Sequence, residues 1–210
     1  MKRLDEKLIF PKYEETDKSG IIAYGGDLSL ERLKLAYRKG IFPWFNENEP
    51  ILWWFPNPRF VLFPNELKVS KSMQKIIKNQ VFSFTENKAF EKVIENCRKI
   101  SRAGQTGSWI TDEMTEAYIG LHKSGQAKSV EVWQAGELVG GFYGVESENV
   151  FCGESMFAKV SNASKAGFIY FVQKYKNQYE LIDCQVYTNH LSSLGAREIS
   201  ADAFIGFLNS

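Results

Sequence analysis

Two short segments in the last third of the chain set polar side chains into otherwise apolar runs. They are Phe151-Cys152-Gly153-Glu154-Ser155-Met156-Phe157 and Leu181-Ile182-Asp183-Cys184-Gln185-Val186-Tyr187. Both read as buried strands. Side chains alternate along a strand, so Ile182, Cys184 and Val186 share one face, and Asp183, Gln185 and Tyr187 the other. A carboxylate and an amide side by side, with Glu154 nearby, can orient an amine. The same alternation is also the ordinary signature of a satisfied polar patch on a half-exposed sheet. Metal chemistry has less support. Cys97, Cys152 and Cys184 form no CxxC pair and sit in apolar contexts, where a free thiol behaves as a small hydrophobe. His122 and His190 are isolated from each other in sequence. Gly25-Gly26 lacks the following Lys-Ser/Thr of a phosphate loop.

Those segments need elements to hold them. Residues 1–24 read as an irregular arm with a short strand. A helix follows from Ser29, with Leu30, Leu33 and Tyr37 at helical spacing and Gly40 to stop it. A second helix starts at Ser70, with Met73, Ile76 and Ile77 on one side and Lys71, Lys75 and Lys78 on another. No Asp or Glu occurs from Leu67 to Thr85, so this stripe is either a solvated face or a grip for a phosphate backbone. Two further helices carry Phe90, Val93, Ile94 and Cys97, then Thr111 to Gly125. A loop over Ser101–Ser108 joins them and leads to Trp109. Strands are expected over Lys128–Trp133, Glu137–Val145 and Asn149–Phe157. A helix follows over Ala163–Tyr175, capped by Ser161 or Asn162. The Leu181–Tyr187 strand and a helix over Ala201–Leu208 complete the chain.

Residues 41–64 concentrate Trp44, Trp53 and Trp54 with Pro43, Pro56 and Pro58. Proline favours loops and edges over central strands, so this stretch suits a shaped pocket or a domain interface, unless it is plain core. The element order gives an α+β protein of mixed α/β layers. A small N-terminal domain spans 1–64 and a larger domain, compatible with the GNAT acyltransferase architecture, spans 65–210.

Composition bounds the function classes. The 210 residues are 44% hydrophobic and 24% charged, as in an ordinary globular protein. The net charge of +1 excludes a strong global field for nucleic acid, so such binding needs a local patch. No run approaches 18 apolar residues, and the charged N-terminus does not read as a signal peptide.

The chain closely resembles the bacterial leucyl/phenylalanyl-tRNA–protein transferase family. The matching strings begin with Gly25-Gly26-Asp27-Leu28-Ser29, Ala36 through Phe45, Ile51-Leu52-Trp53-Trp54 and Pro56-Asn57-Pro58-Arg59. They continue with Trp109-Ile110-Thr111, Ser129 through Trp133, Glu137 through Gly141 and Phe151 through Phe157. Asn162-Ala163-Ser164-Lys165, Leu181 through Gln185 and Ser193-Leu194-Gly195-Ala196 complete the set. The resemblance covers the chain from about residue 20 onward.

It implies transfer of Leu or Phe from aminoacyl-tRNA to the N-terminal Arg or Lys of an acceptor protein, which marks that protein for degradation. It further implies a GNAT-like second domain, no metal, no coenzyme A or other cofactor, a cytoplasmic monomer and no membrane partner. By motif, Gln185 accepts a hydrogen bond from the attacking amine, Asp183 orients Gln185, and Glu154 helps hold the cationic acceptor. Phe142, Phe151, Gly153, Met156, Phe168 and Phe171 form the Leu/Phe pocket. Trp44 and Trp109 contact the terminal adenosine, with Tyr37 and Tyr118 in the same cleft, and Lys71, Lys75 and Lys78 hold the acceptor stem. Lysines stand where the family often carries Arg, which implies weaker or more salt-sensitive tRNA binding. Phe142 stands where Met is common. Two other readings compete: an N-acyltransferase using acyl-CoA, disfavoured by the absence of glycine from Phe157 to Ser164, and a non-catalytic module binding tRNA or basic N-termini.

Overall fold

The computed structural model describes residues 1–100 and 110–209. Its strands form two sheets. The smaller contains β1 (Lys2–Leu4), β2 (Ile21–Gly25), β3 (Phe42–Pro43) and β4 (Leu52–Trp54), in the order β1-β2-β4-β3. Helix α1 (Leu30–Arg38) connects β2 to β3. Ser29 stands at its N-cap without a side-chain bond.

The larger sheet begins with β5 (Arg59–Leu62), so the chain changes sheet between Trp54 and Arg59, ahead of the boundary expected at residue 64. Then come α2 (Lys71–Lys78), β6 (Ser83–Glu86), α3 (Phe90–Lys99) and α4 (Asp112–Lys123). Ser70 and Thr111 cap α2 and α4, each accepting a backbone N–H three residues on. The expected three-strand meander is present as β7 (Ala127–Gln134), β8 (Glu137–Ser147) and β9 (Val150–Ala158), each antiparallel to the next. Helix α5 (Ala163–Tyr175) crosses to β10 (Leu181–Asp183), which runs parallel to β9. Asn162 holds the N-cap of α5 in a left-handed conformation without a side-chain bond. The chain continues through α6 (Asn189–Ser192), β11 (Arg197–Ile199) and α7 (Ala201–Leu208). The seven strands are ordered β11-β5-β10-β9-β8-β7-β6.

Two apolar cores lie against this sheet. One holds α5 residues such as Phe168 and Phe171 together with Phe142, Phe151 and Met73. The other holds Phe90, Met114 and Tyr118 of α3 and α4, and continues through Ile22, Phe42, Trp53 and Phe55 of the small sheet. The aromatic, proline-rich stretch is therefore both core and interface.

One expectation fails in a way that matters. The strand foreseen over Leu181–Tyr187 stops at Asp183. Gln185 takes a left-handed conformation, with φ of 62°, and its N–H bonds the Asp183 carboxylate instead of a neighbouring strand. An Asp side chain commonly competes in this way for a backbone N–H two residues on.

Candidate active site

Glu154 owes its position to an irregularity. Along the β8–β9 ladder Tyr143 pairs with Ser155 but Gly144 pairs with Gly153, so Glu154 is the extra residue of a bulge. Bulges re-aim side chains and are over-represented beside active sites. Gly144 permits this one, because a Cβ there would lie 2.3 Å from the Cys152 carbonyl oxygen and 2.5 Å from the Phe151 ring.

The Glu154 carboxyl accepts two hydrogen bonds, from the Tyr118 hydroxyl at 2.8 Å and from Gln185 Nε2 at 2.8 Å. Tyr37 joins the chain through a 2.6 Å contact between the two phenol oxygens. Burial pushes Glu154 up to about 7; Tyr118, with Tyr37 behind it, and Gln185 resist this by hydrogen bonding, and the Asp183 charge adds to it. The two buried phenols are driven well above their usual range, first by burial and then by the Glu154 charge, so they remain protonated donors.

Asp183 is wholly buried. Its Oδ1 and Oδ2 accept from Arg59 Nε at 2.8 Å and Nη2 at 2.6 Å, and Oδ1 also accepts the Gln185 N–H at 2.8 Å. A charge pair with this fork geometry offsets much of its desolvation, whereas removing either partner strands the other charge. Gln185 is thus held twice, by its backbone on Asp183 and by its amide on Glu154. A left-handed non-glycine residue costs about 1–3 kcal/mol and persists where its surroundings over-determine it.

Glu154, Asp183 and Gln185 line a cavity of about 520 Å³ between the two sheets. The small sheet contributes Phe42, Pro43 and Trp44. The large sheet and its helices contribute Phe142, Tyr143, Met156 and Phe168, with Glu154, Asp183 and Gln185 as polar lining and Ser164, Thr188, His190 and Leu191 farther along the chain. His190 Nε2 has no hydrogen-bond partner among the described residues, and burial followed by the Lys165 charge lowers its pKa, favouring the neutral ring. No cluster of three His, Cys, Asp or Glu side chains among the described residues is placed to hold a metal ion. An apolar cavity with a few convergent polar groups is suited to an apolar side chain attached to a polar reacting centre.

Of the residues singled out from sequence, Trp44, Phe142, Gly153, Glu154, Met156, Phe168, Asp183 and Gln185 meet at this cavity. Phe151 and Phe171 do not line it; they are buried in ring contact with Phe142. Tyr37 and Tyr118 are also buried away from the lining and act on the site through Glu154. Lys71, Lys75 and Lys78 are exposed on α2, outside the cavity. Trp109 lies outside the described residues. Sequence reasoning missed the role of Arg59. Its signal was a lone cation heading the apolar run Arg59-Phe60-Val61-Leu62, all of it buried.

Comparison with known proteins adds an independent line. A family model described as leucyl/phenylalanyl-tRNA protein transferase matches residues 61–209, and one for the N-terminal domain of that enzyme matches residues 26–57. Leucyl/phenylalanyl-tRNA–protein transferases from Flavobacterium johnsoniae and Flavobacterium psychrophilum are 59% and 55% identical to this chain. The matches cover 99% and 98% of it and 98% of each relative. The enzyme of that name from Syntrophobacter fumaroxidans is 51% identical, over 98% of this chain and 88% of its own. Solved structures are more distant. L-PGS from Bacillus licheniformis gives a TM-score of 0.45 at 12% identity, covering 73% of this chain and 56% of its own. A GCN5-related N-acetyltransferase from Kribbella flavida gives 0.39 at 8%, covering 79% and 59%. Likenesses this slight have no bearing on function.

Proposed function

The chain belongs to the leucyl/phenylalanyl-tRNA protein transferase family, and from that membership and the geometry of its cavity we propose the reaction and the part each residue takes in it. The protein is an aminoacyltransferase that moves Leu or Phe from aminoacyl-tRNA to a protein N-terminus, with acceptors that begin with Arg or Lys. The new residue marks the acceptor for degradation. The α-amine attacks the ester carbonyl carbon, the C–N bond forms, and the ester C–O bond breaks with the ribose oxygen leaving. The amine proton passes to that oxygen through the neighbouring ribose hydroxyl.

The observation that carries this reading is the double tether of Gln185. Its Nε2 is committed to Glu154 and its N–H to Asp183. Its Oε1 accepts no hydrogen bond among the described residues, and Gln185 lines the cavity. That oxygen is available to the attacking amine. The free α-amine titrates near 7.7–8.0 and the ester is already activated, so orientation can replace a strong base; well-held pairs reach effective molarities of roughly 10⁵ M or more. Ionised Glu154 holds the acceptor's side-chain cation. Phe142, Met156 and Phe168 receive the donor side chain, while Phe151 and Phe171 back them and Gly153 keeps the wall thin. Trp44 stacks on the terminal adenosine, a contact worth roughly 1–3 kcal/mol, and Trp109 is assigned the same partner. Lys71, Lys75 and Lys78 hold the acceptor stem. No helix among the described residues is long and apolar enough to cross a membrane; a monomer acting in the cytoplasm completes the proposal.

The test is transfer of labelled Leu or Phe from aminoacyl-tRNA to a protein beginning with Arg. Gln185→Ala should lower transfer at least about 100-fold, the scale of a misplaced reacting group, while tRNA binding stays. Asp183→Ala should lower it too, with a loss of stability because Arg59 is left buried and unpaired. Binding of tRNA without transfer by the intact chain would leave a binding module.

A further inference from the structure

Arg59 lies outside the reaction scheme, yet it fixes the group on which that scheme turns. It is 1% exposed and its partner Asp183 is 0% exposed. Its Nε and Nη2 take both carboxylate oxygens, and Nη2 also donates to the Gly40 carbonyl at 2.9 Å. Its guanidinium carbon lies 5.1 Å, 5.6 Å and 4.4 Å from the ring centres of Phe42, Phe55 and Phe204. Its Nη1 is buried without a hydrogen-bond partner among the described residues. A pair kept for stability alone is often replaceable by well-packed apolar residues. An unsatisfied buried donor calls for another explanation.

That explanation lies on the far side of Asp183. With both oxygens engaged, the carboxylate cannot rotate, and Oδ1 is left facing the Gln185 N–H. The neighbouring backbone closes the same clamp: Cys184 N–H donates to the Phe60 carbonyl at 2.9 Å, and Phe60 N–H lies 3.4 Å from the Gln185 carbonyl oxygen. From this geometry we infer that Arg59 is a positioning residue for Gln185, acting through Asp183, and that it ties the placement of Gln185 to Gly40 beside the small sheet and to Phe204 of α7. The inference rests on the role proposed for Gln185. Arg59 touches no substrate. Its effect is on how well the amine is aimed, so it governs turnover and leaves binding alone.

The experiment compares the intact protein, Arg59→Lys and Gln185→Ala in steady-state transfer from Leu-tRNA to an Arg-initiated protein. Lysine keeps the charge but loses the fork and the link to Gly40. The expected result for Arg59→Lys is a kcat about 10- to 100-fold lower, as for a misaligned reacting pair. KM for both substrates should stay within about twofold, because the same principle places the loss in orientation. A purely structural role would not separate kcat from KM. If Arg59→Lys does not fold, Phe204→Leu takes its place; it removes one ring from around the guanidinium, and Phe204 does not itself line the cavity. There kcat should fall about 3- to 10-fold at unchanged KM, a smaller misalignment of the same kind. Unchanged kcat, or raised KM at unchanged kcat, overturns the inference while the reading of Gln185 stands on the inactivity of Gln185→Ala. Full transfer by Gln185→Ala overturns both.

Discussion

Glu154 is pulled two ways. Burial favours its neutral acid, while the donors around it favour the carboxylate, and burial prevails to set it at about 7. A carboxyl raised above its unfolded value adds stability that is fully present below the ordinary carboxylate range and is lost as pH rises through about 7. Function runs the opposite way, since only the carboxylate holds a cation. Transfer at limiting acceptor should therefore rise with pH through two ionisations, Glu154 and the acceptor amine, giving log kcat/KM a slope of about two below both values. Glu154→Gln should be slower and show a slope of about one; a slope of two in that variant would exclude Glu154 as the group titrating near 7. Residue types alone single out Asp183, Gln185 and Glu154. Their geometry is not legible in the same way, because alternation places Asp183 and Gln185 on one strand face. The Asp183 side chain instead captures the backbone beyond it and ends the strand.

Elements with strong local signals are legible. Helices α2 and α4 start where read, at Ser70 and Thr111, and the meander falls where alternation places it, whereas Ser29 and Asn162, read as caps, hold their N-cap positions without a side-chain bond. The bulge at Glu154 is hidden. It exchanges the faces of β9, so that Phe151 and Met156, of opposite parity in sequence, both pack toward the α5 core, while Cys152 and Phe157 pack on the other side. No periodicity argument recovers a parity change caused by a ladder partner such as Gly144. Helix α2 is the complementary case, amphipathic as read, with Met73 buried and Lys71, Lys75 and Lys78 exposed. If those lysines grip phosphates, replacing all three with Gln should raise KM for aminoacyl-tRNA and leave kcat at saturation unchanged. It should also flatten the dependence of log K on log salt by about 0.7–0.9 for each phosphate no longer neutralised. A salt slope identical to that of the intact protein would assign the stripe to solvent.

At the scale of the molecule, the division into two sheets suggests two units, and the packing argues against their independence. One core runs from Ile22, Trp53 and Phe55 into Phe90, Tyr118 and Phe204 without a break. Polar contacts cross the same boundary, from Tyr37 to Tyr118 and from Arg59 to the Gly40 carbonyl. Each large apolar side chain buried there is worth roughly 1.5–3 kcal/mol relative to exposure, and the small sheet loses part of that if it parts from the large one. A chain of its length also has little core of its own. Tryptophan fluorescence provides the test: three of the five tryptophans, Trp44, Trp53 and Trp54, lie in or beside the small sheet and Trp133 lies on β7, so the signal is weighted toward the small sheet, whereas far-UV dichroism reports chiefly the larger sheet and its helices. Urea unfolding followed by the two signals should give coincident midpoints, the mark of one cooperative unit, and transfer activity should disappear at the same midpoint. A fluorescence transition that precedes the dichroism would show that Phe42, Pro43 and Trp44 leave the cavity while Glu154, Asp183 and Gln185 still stand. Activity would then follow the fluorescence, because a wall supplied by the other sheet is as necessary to the cavity as the groups that do the chemistry.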